Sequence, residues 1–174
     1  MKRILALLVS LVLMQTGYSQ KEQDTTNLLK VGDEMPEFTL VTLDGKTVTS
    51  DDLYGKVVLI SFYASWCVPC NLGLPLVERD IWAKYKDNED FMLLIVDLEE
   101  TTELIQPYVE KMKWTMPFYL DEKKEAYLKF ATKFIPRNYL FEQQSQLILH
   151  SNGFNKQDLS TLKTEIEALL KKKN

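Results

Sequence analysis

The chain has two cysteines, and they stand three positions apart in the stretch FYASWCVPCNLGLP, residues 62–75. A bridge between Cys67 and Cys70 closes so short a loop that it removes little entropy from the unfolded chain, so scaffolding explains the pair poorly. A zinc ion asks for four ligands. Besides these thiols the chain offers one histidine, His150, which falls on a separate predicted strand and reads as an ordinary strand residue. No metal and no cofactor are expected. Thiol–disulfide exchange suits the spacing better. A cysteine at a helix N-terminus faces unpaired N–H groups and the positive end of the helix dipole, which favour the reactive thiolate. A second cysteine one turn on is within bridging reach. Pro69 fits the first turn, where a missing N–H costs little. Cys67 is therefore the expected nucleophile and Cys70 the residue that resolves the mixed disulfide.

The flanking elements must place this pair. VVLISFYA, residues 57–64, is a continuous apolar run with β-branched residues, the pattern of a parallel strand buried on both faces. Residues 70–86 read as the helix that follows it. FMLLIVDL, residues 91–98, is a second buried strand. Ahead of them, FTLVTLDGKTVTS predicts a hairpin around Asp44-Gly45, and SDDLYGK one helical turn. Beyond them come a helix in TTELIQPYVEKMK, with a kink or late start at Pro107, a short strand in MPFYLD and a short helix in EAYLKFA. Strands at 138–143 and 146–151 form a hairpin across Gln144-Ser145. An amphipathic helix with Leu159, Leu162, Ile166, Leu169 and Leu170 on its apolar stripe closes the chain. Such alternation predicts an α/β sandwich with parallel central strands and an antiparallel edge. Open sheets of this kind place their sites where a strand runs into a helix, as at Cys67.

The whole chain, 174 residues with a formal charge of −4, suits one soluble domain. It has no interior basic run flanked by aromatics, which speaks against nucleic acid as a partner. MKRILALLVSLVLMQTGYSQ reads as a secretory signal peptide: Lys2 and Arg3, an apolar run Ile4–Leu13, then small Gly17 and Ser19 before a predicted cleavage after Ser19. The run is too short for a membrane span, which needs about 20 residues. The expected organisation is thus a signal peptide at 1–19, a flexible lead-in at 20–30 and one domain at 31–174. The location is periplasmic or otherwise extracytoplasmic, with no stable membrane insertion after the signal is removed. Loss of Lys2 and Arg3 takes the formal charge from −4 to −6.

WCVPC after VVLISFYAS resembles the thioredoxin superfamily. The stretch VGDEMPEFTLVTLDGKTVTSDDLYGKVVLISFYASWCVPC and the insert ERDIWAKYKDNEDFMLLIVDLEE narrow the resemblance to cell-envelope proteins of the TlpA/ResA type, over about Val31 to Lys171. It implies a thioredoxin fold, a three-layer α/β/α sandwich with a mixed central sheet and an N-terminal β-hairpin extension. It implies a cis proline facing the cysteines, which Ile135-Pro136 would supply, and Trp66 beside the attacking cysteine. Client proteins with disulfides or thiols, apocytochrome c among them, and a membrane thiol electron donor are the implied partners.

Three departures stand out. The buried aspartate that thioredoxins place six residues before the first cysteine is Ser61 here. The glutamate of several envelope reductases, three residues after the second cysteine, is Gly73. Asp97, Glu99 and Glu100, at the end of the second buried strand, are the candidate proton acceptors for Cys70 in their stead. Arg137-Asn138 replaces the usual small polar residues after the proline, and a cation there would favour thiolate or an acidic partner. A disulfide-reducing enzyme is the first expectation. A disulfide oxidant or isomerase and a redox-inert binding module are the alternatives. A peroxidase fits less well, because the chain lacks a cysteine after a Pro-x-x-x-Thr motif.

Overall fold

The computed structural model describes residues 24–172; the expected signal peptide lies outside them. Seven strands form one mixed sheet: β1 (Thr39–Thr42), β2 (Thr47–Thr49), β3 (Val57–Tyr63), β4 (Phe91–Leu98), β5 (Phe118–Asp121), β6 (Arg137–Phe141) and β7 (Leu147–Asn152). Their order across the sheet is β2-β1-β5-β4-β3-β6-β7. The three central strands β3, β4 and β5 run parallel, and the flanking pairs are antiparallel. The apolar run of β3 is explained by its place: it pairs with β4 on one side and β6 on the other, and all seven residues are buried. The hairpin β1–β2 extends the sheet beyond β5 and turns through Gly45, whose φ of 82° suits glycine.

The crossovers β3–β4 and β4–β5 step across the sheet in one direction, so right-handed connections carry their helices to the same face. These helices are α1 (Val68–Val77) and α3 (Thr102–Met112). A π-helical segment, Glu78–Trp82, and a last α-helical turn, α2 (Ala83–Tyr85), prolong α1. The C-terminal α4 (Lys156–Lys171) joins them with Leu159, Leu162, Ile166 and Leu169 buried against Val57, Leu59 and Leu93 of the sheet. Each fully buried aliphatic side chain here contributes about 1.5–3 kcal/mol of transfer free energy.

The opposite face carries a thinner outer layer. Two 3₁₀ turns, Ser50–Leu53 and Tyr127–Lys129, and the N-terminal stretch cover it. Aromatic edges do the packing: Phe62 meets Phe130 and Tyr127 with ring centroids 5.1 Å apart in each case. Of the two turns, the first is the one helical turn expected in SDDLYGK, and the second is shorter than the helix expected in EAYLKFA. The second is set by Asp121, which accepts from the backbone N–H groups of Tyr127 (2.7 Å) and Ala126 (3.3 Å).

Several boundaries move. Helix α1 begins at Val68 rather than at residue 70, because Cys67 caps it. Pro107 sits inside α3, which starts at Thr102 with no delay. The β6–β7 turn is wider than Gln144-Ser145 and closes through hydrogen bonds among Glu142, Ser145 and Gln146. Of the stretch 20–30 expected as a flexible lead-in, residues 24–30 are built into the fold, with Thr26 and Leu28 hydrogen-bonded to the backbone of Thr132 and Phe130. Their polar side chains serve a buried cation, which a reading of composition alone misses.

Candidate active site

Strand β3 delivers the chain to its end at Tyr63, and four residues later Cys67 caps α1. The Cys70 N–H points at Cys67 Sγ, 3.3 Å away, and Pro69 lies in the first turn, where it removes a donor that has no helical acceptor. The two sulfurs are bonded to each other, with Cα atoms 5.2 Å apart. Both cysteines are buried, but Cys67 alone of the two forms part of the wall of a cleft of about 500 Å³. Trp66, Pro69, Leu98, Phe134 and Ile135 line the same cleft. The Ile135–Pro136 peptide is cis. Trp66 is 63% exposed and Phe134 62%, so Trp66 is a surface residue at the mouth rather than a core aromatic. Val68 is exposed at the same cleft, and Leu72 is exposed further along α1.

The approach to Cys67 is braced by a chain of hydrogen bonds that the sequence reading missed. Tyr63 Oη donates to Asn71 Oδ1 (3.0 Å), and Asn71 Nδ2 donates to the Ser65 carbonyl (2.7 Å). Ser65 gives its N–H and its hydroxyl to the two carboxyl oxygens of Glu100, each at 2.6 Å. The available signal was a run of hydrogen-bonding side chains flanking the cysteines, at Tyr63, Ser65 and Asn71.

The three acids separate cleanly. Glu100 is the brace just described. Glu99, in the left-handed region at φ 64°, is exposed and ion-paired with Lys124 at 3.0 Å on the rim of the cleft. Asp97 is fully buried. Strand register sets it beside Tyr63, on the face covered by α1, and neither carboxyl oxygen has a hydrogen-bond partner. Burial, reinforced by the charge of nearby Glu100, pushes its pKa up to about 9. On the same face Ser61 lies opposite Asn138 of β6, and the Ser61 hydroxyl and the Asn138 Oδ1 are likewise buried without partners.

Two expectations need correction or explanation. Arg137 does not bring a cation to the cysteines. Alternation along β6 sends its side chain to the opposite face with Tyr139 and Phe141, where it is fully buried and paired with Asp24 at 2.8 Å. Gly73, for its part, is spoken for: a Cβ there would lie 2.5 Å from the ring of Phe154. Gly73→Ala should therefore destabilise the protein by about 1–3 kcal/mol by overpacking, although alanine is the better helix former. Urea unfolding checks this, and a gain in stability would show that Phe154 yields freely. His150 is a β7 residue whose ring stacks on Tyr139, with centroids 6.0 Å apart.

Residues 30–166 match the family model of the redoxins. The chain belongs to the redoxin family. Among curated relatives, the thiol-disulfide oxidoreductase ResA of Bacillus cereus is 27% identical over 156 residues, which span 90% of this chain and 83% of that one. A Bacteroides thetaiotaomicron protein assigned as a protein disulfide isomerase superposes with a TM-score of 0.81 at 34% identity, covering 84% of this chain and 94% of its own. A Chlorobium tepidum protein assigned as the thiol:disulfide interchange protein DsbE gives 0.73 at 29% identity, over 82% and 99%. The fold is the thioredoxin fold with an N-terminal hairpin. With Cys67 and Cys70 bridged at the head of α1, this redoxin is a thiol-disulfide oxidoreductase.

Proposed function

We propose that this redoxin is an exported reductase of disulfides in client proteins. The observation that carries the reading is the placement of Cys67: it caps a helix, receives an N–H at its sulfur, and opens onto an apolar cleft beside Ile135. In the reduced protein the Cys67 thiolate attacks one sulfur of a client disulfide, forms a mixed disulfide and expels a client thiolate. The client segment lies against the backbone of Ile135, in the manner of an added strand. Cys70 gives up its proton and attacks Cys67 Sγ, which releases the second client thiol. The client gains two electrons and the Cys67–Cys70 pair loses two. A membrane thiol donor returns them. The signal-like segment Lys2 to Ser19 supports export, and envelope proteins such as apocytochrome c are the proposed clients.

Asp97 supplies the missing acid–base partner in this scheme. It is protonated in the oxidised protein, gives that proton to Cys70 when the donor opens the disulfide, and takes it back when Cys70 resolves the next client. Its place on the α1 face, two strand positions from the row of Ser61, supports the role. Trp66 and Pro69 shape the approach to Cys67.

The 34% identical relative assigned as an isomerase favours a second reading, in which the pair donates or reshuffles disulfides. The reduction potential decides. Equilibration of the protein in graded thiol buffers, followed by Trp66 fluorescence, should give about −220 mV or lower for a reductase. A value between about −180 and −120 mV would replace the reductase with the oxidant or isomerase.

A further inference from the structure

The residue after the cis proline is a fully buried arginine, and its partners come from the first described residues of the chain. Arg137 Nη1 donates to Asp24 Oδ2 at 2.8 Å, Nη2 to Thr26 Oγ1, and Nε to the Lys133 carbonyl at 2.9 Å. Thr26 in turn accepts from the Thr132 N–H at 2.9 Å, and Asn27 forms a bridge with Ala131. One guanidinium thus ties the N-terminal stretch to both ends of the loop 132–136. That loop is one wall of the cleft beside Cys67, and Phe134 holds an unusual φ of 70° within it.

An ion pair between a buried Arg137 and a half-buried Asp24 is a weak source of stability, since well-packed apolar side chains often do as well. What it does give is direction. The fork of Arg137 fixes the Lys133 carbonyl and the Asp24 carboxylate in one geometry, which an apolar plug would leave free. Asp24 is held well below the usual carboxylate range, first by its hydrogen bond from Arg137, so the pair is charged at neutral pH.

We propose that the Asp24–Arg137 latch is a positioning device for client docking: it holds the loop 132–136 in the shape that presents Phe134 and Ile135 to a client chain, without acting on the sulfurs. The inference rests on the reading of the site as a protein-disulfide exchanger. A client that needs the loop feels the latch, and a small disulfide that needs only Cys67 does not.

The test uses the mature protein, pre-reduced, with two probes: a disulfide-bonded peptide and 5,5′-dithiobis(2-nitrobenzoate). In Asp24→Asn, kcat/KM for the peptide should fall about tenfold through KM, while the rate with the small disulfide stays within about twofold. Asp24→Glu, which keeps the charge, should restore most of the loss. Thr26→Val removes an acceptor and no charge, and should shift the peptide KM in the same direction if Asp24→Asn folds poorly. Equal losses toward both probes would reduce the latch to a stability element and overturn the proposal, as would an unchanged peptide KM in both variants. A wild type active on both probes confines that failure to the latch. A wild type inert toward both would overturn the proposed function and the latch with it.

Discussion

Cys67→Ser should abolish disulfide exchange, and Cys70→Ser should convert the protein into a trap. Removal of a covalent nucleophile typically costs more than about 10³-fold in rate, and no other thiol in the chain can take over. Cys70, 1% exposed, does not line the cleft that Cys67 walls, so it is not placed to substitute as the attacking group. In Cys70→Ser the first step proceeds and the second does not, so client chains remain bonded to Cys67. Non-reducing electrophoresis of cells carrying each variant reads the result: adducts with Cys70→Ser, none with Cys67→Ser or the double variant. A redox-inert binding module predicts the reverse pattern, with no adducts and a Cys67→Ser phenotype equal to wild type. That pattern would remove the enzymatic reading.

Asp97→Asn should yield a protein that is more stable and slower. The carboxyl is protonated up to about pH 9 in the fold, whereas in the unfolded chain it ionises near 3.8. The folded state therefore binds more protons between these values, and stability falls as pH rises from about 4 to 9. Each pH unit in that window costs about 1.4 kcal/mol, so at pH 7 the penalty reaches up to about 4 kcal/mol. An amide of the same shape carries no such penalty. The melting temperature at pH 7 should rise by several degrees, and its pH dependence between 4 and 9 should flatten. Resolution of the mixed disulfide should slow by about 10²-fold, the usual contribution of a positioned acid–base group. Thermal unfolding across pH, paired with stopped-flow resolution, tests both halves. A variant that is stabilised and equally fast would make Asp97 a buried liability without a catalytic part.

Much of this site is legible in the sequence because its signals are local. Cys67, Pro69 and Cys70 lie within one turn, and the apolar runs 57–64 and 91–98 give two of the three central strands with little error. The resemblance pointed to Ile135-Pro136, and that bond is cis. The acids were less legible. Asp97, Glu99 and Glu100 sit within four residues, yet one is buried, one ion-paired at the rim and one hydrogen-bonded to Ser65, a difference set by strand alternation and by the left-handed turn at Glu99. Arg137 misled because it follows closely on Ile135, which lines the cleft with Cys67, while its own side chain lies on the other face of the sheet. The tie between Asp24 and Arg137 left no local trace, since it spans 113 positions.

That separation bears on how the molecule comes into being. Strands β3 and β4 with α1 between them lie within residues 57–98, so this stretch is complete before β6 and β7 have been made. The first described residues must wait: the Asp24 carboxylate has only its neighbour Thr26 to hold until Arg137 and Asn152, more than a hundred residues later, have emerged. A chain made only as far as Glu100 therefore carries both cysteines but not yet the arginine that pins its first described residues.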